Sequence, residues 1–146
     1  MIGELVVTQA DLEGHRQKYD SIGLGSYNID IREVQRTWMW VSRFPNLVGE
    51  VFNEGYLSIP VRPYAIPYRA LVPRYEECEN LIVPVCLSAS HVAFSSIRME
   101  PQYMLLGHAA GIAASIAARE SLPVQQVPIV SLQQFLVSQG QILVQP

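Results

Sequence analysis

The part of the sequence best suited to chemistry is a run of small and polar residues between positions 88 and 98. It contains Ser-Ala-Ser-His at 88–91, then Ser96 and Arg98, and a glycine- and alanine-rich segment follows it. Small side chains let a ligand approach the backbone, and a helix that begins just beyond them presents free N–H groups and the positive end of its dipole. The pattern favours a site for a phosphate or the polar edge of a cofactor ring. A ligand-free crossover between a strand and a helix fits it equally well.

Other kinds of catalytic or metal site find little support in the sequence. The histidines at 15, 91 and 108 have no metal-ligand spacing with one another or with the two cysteines, which argues against a zinc site. Ser90 and His91 are chain neighbours and no G-x-S-x-G elbow is present, so a serine hydrolase is not indicated. For His91, a loop histidine bonded to neighbouring carbonyls is as good an interpretation as a ligand contact.

The elements that must position this site are a strand before it and a helix after it. The continuous apolar run over 81–87 is typical of a strand buried on both faces. A proline at a first-turn position then opens a predicted helix over 101–120. Because this helix is rich in glycine and alanine, its backbone is expected to lie very close to whatever it packs on. A short helix capped by Ser131 and ended by Gly140, and a last strand over 142–144, complete this half.

The amino-terminal half is predicted to consist mostly of strands. The predicted elements are a strand over 3–8, a helix that a capping box at 8–11 opens and that extends to about 19, a bent strand over 21–31, a strand over 34–41, and two strands, 47–52 and 56–61, joined by a tight turn in which Gly55 takes a positive φ. The four prolines between 60 and 73 predict an extended segment along a sheet edge or between layers. Trp38 and Trp40 share one face of their strand, as core or interface residues.

The two cysteines are predicted to be free. Cys78 and Cys86 are separated by eight residues, and an extended segment of about 3.3 Å per residue would place them more than roughly 20 Å apart. A disulfide requires Cα atoms within about 7 Å of each other.

Composition limits the partners. The chain of 146 residues is 49% hydrophobic and 16% charged, with a net charge of −3, whereas about 25% charged residues is ordinary. Part of the apolar surface is therefore expected to face another chain or domain, and nucleic acid is not an expected partner. The apolar stretch over 104–118 is shorter than the roughly 20 residues that cross a bilayer. Since no signal-peptide pattern follows Met1, either the chain is cytoplasmic or its targeting signal lies upstream.

A long motif carries a resemblance to a known family. Residues 80–115 read NLIVPVCLSASHVAFSSIRMEPQYMLLGHAAGIAAS, and residues 65–73 read AIPYRALVP. Together they closely resemble the carboxyl-terminal signature of a family of FAD-dependent oxidoreductases, some of whose members are described as related to xanthan lyase. The stretches MIGELVVTQADL, DSIGLGSYNIDI and GQIL are similar to the same family, so the resemblance covers nearly the whole chain.

The resemblance implies a mixed α+β fold with three segments. Residues 1–72 would form a β-rich substrate-side sheet, residues 73–126 the last strand-loop-helix of a glutathione-reductase-like FAD-binding domain, and residues 127–146 a short terminal helix and strand. Family members begin with a glycine-rich βαβ unit that binds the ADP half of FAD, and no G-x-G-x-x-G follows a strand here. The chain is therefore expected to be the end of a longer flavoprotein, neither binding FAD appreciably nor active alone.

The same resemblance assigns residues to the cofactor FAD. They are Ser88, Ala89, Ser90, His91, Ser96, Arg98, Gln102 and Tyr103. The first three would lie near the ribitol and pyrophosphate. Gln102 and Tyr103 begin the final helix, where backbone amides in similar flavoproteins face the pyrimidine edge of the flavin. Because that edge gains negative charge on reduction, the helix dipole would raise the flavin's potential. The commoner family form has Gly-Arg where this chain has Pro84-Val85, so no backbone contact is assigned there, nor any catalytic residue.

Two partners are expected on this interpretation: the amino-terminal FAD-binding region of the parent, and a second copy of the chain. Without the nucleotide-binding sheet, five apolar side chains would lack cover, namely Ile82, Cys86, Leu105, Ile112 and Ile116. Burying them favours a homodimer whose interface comes largely from residues 81–118, with Trp38 and Trp40 as possible additions.

Two other functions remain open from the sequence. One is a stand-alone dimeric interaction module that kept the fold after losing the nucleotide-binding half. The other is a polysaccharide lyase, for which Tyr68 and Arg69 are the only candidates for a base and a neutralising cation.

Overall fold

Helices and strands are interspersed along the chain in a computed structural model that describes residues 1–144. The helices are α1 (Gln9–Leu12), α2 (His91–Ile97), α3 (Glu100–Glu120) and α4 (Ile129–Ser138). The strands are β1 (Ser21–Gly25), β2 (Ile29–Ile31), β3 (Gln35–Arg43), β4 (Asn46–Glu54), β5 (Leu57–Ile59) and β6 (Tyr64–Pro67). Single turns of 3-10 helix lie at Tyr68–Ala70 and Val124–Gln126. The predicted mixed α+β class is confirmed.

All of the strand pairing in the described residues is antiparallel and two-stranded. β1 pairs with β6, β2 with β5, and β3 with β4. The predicted bent strand over 21–31 is present as β1 and β2, with a break between them and an irregular register near Gly23. β6 lies in the proline-rich stretch and pairs with β1 alone, so it is an edge strand as predicted.

The core forms where α3 and α4 pack against β1. Leu106, Ala109, Ala113 and Ile116 recur at helical spacing and make one buried stripe on α3. Gly23 of β1 faces this helix, and the Leu105 side chain occupies the space that a Cβ there would need. Glycine therefore lets helix and strand approach closely. The predicted span of α3 is confirmed, with Pro101 in its first turn.

A buried carboxylate ties β1 to the 3-10 turn after β6. Asp20 accepts hydrogen bonds from the Arg69 backbone N–H (3.1 Å) and Nε (2.9 Å), and its own carbonyl accepts from the Tyr68 N–H (2.8 Å). The Tyr68 hydroxyl in turn donates to the Val124 carbonyl (2.8 Å). These bonds connect segments that are far apart in the sequence and fix the 3-10 turn at Tyr68–Ala70 against the core.

Two predictions about the first twenty residues need correction. Residues 3–8 do not form a strand, because their ladder contacts are single bridges, Gly3 to Pro73 and Val7 to Ala89. The capping box is confirmed, but the helix it opens ends at Leu12 rather than near residue 19. The chain turns away at Gly14, which takes a φ of +81°.

The predicted hairpin over 47–61 is wrong in its pairing. β4 pairs with β3 through a two-residue turn at Phe44 and Pro45, and β5 pairs with β2 instead. Gly55 does take a positive φ, +86°, but it connects two different sheets. The alternating pattern of the strands fits either pairing, and only the unrecognised Phe44-Pro45 turn distinguishes them.

The predicted buried strand over 81–87 is also wrong. Leu81, Val85 and Cys86 are exposed, and the segment has no regular structure. Pro84 cannot donate to a ladder, and the Val83 N–H donates to the Leu71 carbonyl (2.8 Å), which belongs to no strand. Both cysteines are free, although the segment between them is not the extended strand on which that prediction rested.

The end of the chain departs from the prediction in two places. α4 begins at Ile129 with Pro128 at its cap position, so Ser131 lies within the helix. Gly140 follows the helix with a φ of +85°, as predicted, but residues 142–144 form no strand. The last two residues of the predicted terminal segment 127–146 lie outside the described residues.

Candidate flavin-binding site

The residues assigned to FAD lie along two consecutive helices, α2 and α3. The predicted loop over 88–96 is largely helical, because Ser90 takes the cap position of α2 and its Oγ accepts from the Ala93 N–H (3.2 Å). Arg98 ends α2, and Met99 takes the cap position of α3 with no capping side-chain bond. Gln102 and Tyr103 thus lie in the first turn of a 21-residue helix, beside Arg98.

The residues before α2 serve to hold the chain's first segment. Ser88 is buried, and its Oγ accepts from the Gly3 N–H (2.8 Å). Ala89 bridges to Val7, whose N–H donates to the Ser88 carbonyl (2.9 Å). The sequence did not indicate this structural role, and contact between these residues and FAD stays a prediction.

Ser96 has a similar internal role. Its hydroxyl is buried, hydrogen-bonds to the Tyr64 hydroxyl (2.6 Å) and donates to the Tyr27 carbonyl. Burial raises the pKa of Tyr64 to about 12, with the Ser96 hydrogen bond acting in the opposite direction, so this phenol stays protonated at neutral pH. The pair fixes α2 against β6 and the turn before β2.

His91 and Arg98 are brought together in a cleft of about 330 Å³. Its lining residues are Asp30, Ile31, Arg32, Val34, His91, Phe94, Ser95 and Arg98. Arg98 is held in place by bonds to the Asp30 carboxylate (3.1 Å) and the Ser95 carbonyl (3.1 Å). Because two arginines face one carboxylate here, the cleft suits an anionic group. The sequence analysis did not identify Asp30 and Arg32, since nothing in the sequence marked β2, about 60 residues earlier in the chain, as a neighbour of α2.

Gln102 carries the least satisfied polar atom near this site. Its side chain is 8% exposed, and its Oε1 is buried without a hydrogen-bond partner among the described residues. Leaving a buried acceptor unpaired costs about 1–3 kcal/mol. An incoming N–H or O–H donor would remove that cost, so the first turn of α3 is suited to a ligand that carries a donor.

Tyr103 has three ionisable neighbours. Partial burial raises the pKa of its hydroxyl, and Cys86 and Glu100 act in the same direction while Arg98 opposes them. Tyr103 is therefore a hydrogen-bond donor at neutral pH. Cys86 was not predicted to be near the site, because the segment that contains it was interpreted as a buried strand.

A family model described as FAD dependent oxidoreductase matches residues 1–136 of this chain. The chain belongs to the FAD-dependent oxidoreductase family. Neither the curated proteins nor the solved structures contain a significant match to it. Family membership confirms the resemblance, and contact between FAD and the assigned residues stays a prediction.

The outer face of α3 is lined by two glycines that no contact within residues 1–144 requires. A Cβ added at Gly107 or Gly111 would meet no atom within 4 Å among the described residues. Each glycine costs about 1 kcal/mol relative to alanine in a helix interior. Both line a groove of about 430 Å³ between α3 and α4. The close backbone contact predicted for this helix is therefore present on the face that packs on Gly23 of β1. The face that carries Gly107 and Gly111 is open.

The pair that suggested a lyase is structural. Tyr68 is buried, its hydroxyl is bonded to the Val124 carbonyl, and burial raises its pKa far above the usual range. Arg69 is bonded to Asp20 and lies over the Tyr19 ring, 4.7 Å from its centre. Neither group is free to act as a base or a neutralising cation.

Residues 1–144 contain no group of three or more His, Cys, Asp or Glu side chains able to hold a metal ion. No helix among them is both long and apolar enough to span a membrane.

Proposed function

We propose that this chain forms the carboxyl-terminal part of an FAD-dependent oxidoreductase, where it completes the flavin site and the substrate-side sheet. The observation that carries the proposal is the unpaired, buried Gln102 Oε1 in the first turn of α3, four residues after Arg98 along the chain. In a protein whose family uses FAD, this acceptor, a cation and a helix N-terminus make up a polar site of the kind that a flavin ring edge requires.

The donors and acceptors of this turn suit the pyrimidine edge of a flavin. That edge has an N–H donor, which the Gln102 oxygen would accept, and carbonyl oxygens, which backbone N–H groups at the start of α3 and the Tyr103 hydroxyl would bind. Bound FAD supplies the capacity to accept two electrons from a substrate. The contribution of Arg98 and the α3 dipole is to stabilise the negative charge that the reduced ring carries, which raises its reduction potential.

The bare glycine face of α3 supports a covering element from outside the described residues. Glycine at 107 and 111 destabilises the helix with no compensating contact in the chain itself. A backbone or a sheet laid closely over this face would account for both positions. In the proposed parent protein, that cover is the nucleotide-binding portion.

The ADP half of FAD requires groups that we assign to this other portion. Dinucleotide sites are built on a parallel βαβ unit with glycines at its turn, whereas the strand pairs of residues 1–144 are all antiparallel. The hydroxyls of Ser88, Ser90 and Ser96 are also engaged within the chain. We therefore propose that the chain by itself neither retains FAD nor turns over substrate.

The alternative, a stand-alone interaction module, has one observation in its favour. The inner face of α3 is buried by the chain's own residues, so the core closes without a second portion. Flavin titration separates the two functions only in part, because neither predicts tight FAD binding by the isolated chain. Variants of Gln102 separate them fully.

The decisive substitution is Gln102→Met, an apolar side chain of similar length. In the isolated chain it removes an unpaired buried oxygen, so the free energy of unfolding should stay equal or rise. In the parent flavoprotein it removes an acceptor for the flavin, so FAD should dissociate roughly ten- to a hundredfold more readily, in line with about 1–3 kcal/mol for a hydrogen bond to a charged or buried group. Flavin absorbance after gel filtration measures the second effect.

Arg98→Ala and Gln125→Met are the companion variants. Arg98→Ala should lower the flavin potential or its retention in the parent. Gln125 also has an unpaired Oε1, but its Nε2 donates to Pro73 (2.9 Å) and Cys78 (2.8 Å), so Gln125→Met should destabilise the chain and leave flavin affinity unchanged. Unaltered flavin content and potential in both site variants, or a stoichiometric yellow complex of the isolated chain with FAD, would contradict the proposal.

A further inference from the structure

The β3–β4 hairpin is the most exposed apolar region of the chain. Its two nine-residue strands pair with each other along their full length, and within residues 1–144 neither pairs with any other strand. Trp38 is 57% exposed, Trp40 is 59% exposed, and Phe44 at the turn is 99% exposed. An isolated two-stranded hairpin is at best marginally stable in water, so a hairpin of this composition requires a partner surface.

One face of the hairpin is more apolar than the other. Side chains alternate along a strand, so Trp38 and Trp40 lie on the same face as Leu47 and Val51 of β4, whereas Arg43 and Glu50 form an ion pair (2.6 Å) on the opposite face. The two indole rings contact edge to face, with centroids 4.8 Å apart. A Cβ at Gly49 would overlap the Trp38 ring, so glycine is required there for the ring to lie over β4.

The free edge of β3 is flanked by apolar side chains. Trp38 and Trp40 belong to this strand and are both more than half exposed. A strand that pairs with this edge places its own side chains beside the two indoles, and cross-strand aromatic pairs stabilise an antiparallel sheet. Such pairing also satisfies the row of unpaired main-chain N–H and C=O groups that an edge strand presents.

We propose that this partner is a second copy of the chain, joined through the free edges of the two β3 strands. The β3 sequence complements itself when it is paired antiparallel about Met39. Trp38 then opposes Trp40 of the second copy, Arg36 opposes Ser42, and no like charges meet. The result is a four-stranded sheet, β4-β3-β3-β4, with all four indoles on one face.

The same association through β4 is disfavoured by charge. Pairing β4 antiparallel about its centre places Glu50 directly opposite Glu50 of the second copy, and like charges in that position destabilise a sheet. The self-complementary strand is therefore β3. A two-fold axis through Met39 also satisfies the closed symmetry that most homo-oligomers have.

This interface differs from the one that the sequence predicted. Burial of the segment 81–118 was expected to drive dimerisation, but Ile116 is already buried in the chain, and Ile82, Leu105 and Ile112 pack against its core. Those side chains offer little apolar area to a second copy. Trp38 and Trp40, a minor part of that prediction, become the centre of the interface.

The test combines mass and fluorescence measurements on the full chain. Sedimentation or light scattering from low micromolar to millimolar concentration should show a monomer–dimer equilibrium. Trp38 and Trp40 are the only tryptophans in the sequence, so their emission should shift to shorter wavelength in proportion to the dimer fraction. A chain that stays monomeric at the highest concentration, or dimerises with no change in emission, overturns the proposal.

Two substitutions of Ser42 that introduce opposite charges test whether the interface lies along the β3 edge. Ser42→Arg should raise the dimer dissociation constant about tenfold, because it places an arginine opposite Arg36 of the second copy at two symmetric positions, while Ser42→Asp should leave it equal or lower it. Ser26→Arg adds the same charge at an exposed position outside the hairpin and serves as the control. Equal dissociation constants for the two Ser42 variants would exclude the β3 edge and with it the proposal.

Discussion

The β3–β4 hairpin and the rest of the described protein, called the body here, have similarly apolar sequences. Many apolar side chains of the body are buried, whereas most of those of the hairpin are exposed. In the body, Leu106, Ala109 and Ile116 of α3 are sealed against β1 and α4, whereas in the hairpin Trp38, Trp40 and Val51 are exposed to solvent. The difference lies in what surrounds each element. α3 contacts β1, α4 and the 3-10 turn at Val124–Gln126, whereas the hairpin strands have substantial contacts only with each other within the described residues. Apolar residues thus indicate where a surface must be covered, and the tertiary structure decides whether this chain covers it.

The largest expected contrast is in the cost of removing one leucine from each region. Leu106→Ala should lower the free energy of unfolding by about 3 kcal/mol, because it leaves a cavity between α3 and β1. Leu47→Ala, in the hairpin, should change it by less than about 0.5 kcal/mol in the monomer. Urea denaturation followed by far-UV circular dichroism at low protein concentration measures both. Equal costs would mean that the hairpin is packed within the monomer, which would break the comparison.

An intermediate contrast concerns the ion pairs of the two regions. Burial acts to raise the pKa of Asp11, but hydrogen bonds from Lys18 and Thr8 together outweigh it and hold the pKa below its usual value. A carboxyl whose pKa is lowered by folding contributes stability that is fully present above its unfolded pKa of about 3.9 and is lost as the pH falls through the lower folded value. The advantage of the wild type over Asp11→Asn should therefore be constant near neutral pH and disappear in acid below about pH 4.

Glu50 of the hairpin provides the control for this titration. The Arg43 hydrogen bond lowers its pKa as well, but Arg43 is largely exposed and Glu50 is in contact with solvent, and pairs at the surface contribute little once salt screens them. Glu50→Gln at physiological ionic strength should leave the unfolding curve unchanged at every pH. A pH-dependent loss in Glu50→Gln as large as that in Asp11→Asn would show that the hairpin is as tightly held as the body.

The smallest expected effect sharpens the comparison within the body itself. Replacing Gly107 and Gly111 by alanine should stabilise the isolated chain by about 1 kcal/mol per site, since open space surrounds both and alanine is the better helix former. Gly49→Ala in the hairpin is the opposite case, because its new methyl group would displace the Trp38 ring.

In the parent flavoprotein the α3 substitutions should instead weaken FAD retention, because they thicken the face that we propose to be covered. Thermal unfolding and flavin content measure these effects. Stabilisation in both settings would mean that the glycine face has no cover.

The predictions that held depend on short stretches of sequence. Pro101 and the glycine- and alanine-rich segment after it identified α3, the Thr8–Asp11 box identified the start of α1, and Gly55 has its predicted backbone conformation. The failures depend on partners that are distant in the chain. The segment 81–87 has the composition of a buried strand, but no neighbouring strand receives it, and β4 matched two pairings equally well.

The candidate site divides in the same way. The sequence placed Arg98, Gln102 and Tyr103 together, because they are neighbours at the start of one helix. It could not show that the Gln102 oxygen is unpaired, nor that Asp30 and Arg32 face Arg98 across a cleft. Those facts depend on how β2 packs against α2.

By itself, the sequence determined the family, the mixed α+β class and the helix whose first turn carries Gln102 and Tyr103, because a motif, a first-turn proline and a run of glycine and alanine are local properties of the chain. Only the tertiary structure decided which polar groups remained for a ligand. Ser88 is bonded to Gly3, 85 residues away, and Ser96 to Tyr64 and Tyr27, 32 and 69 residues away. The physical reason is that a hydroxyl binds whichever partner the fold brings within about 3 Å, and the spacing of residues along the chain does not specify that partner.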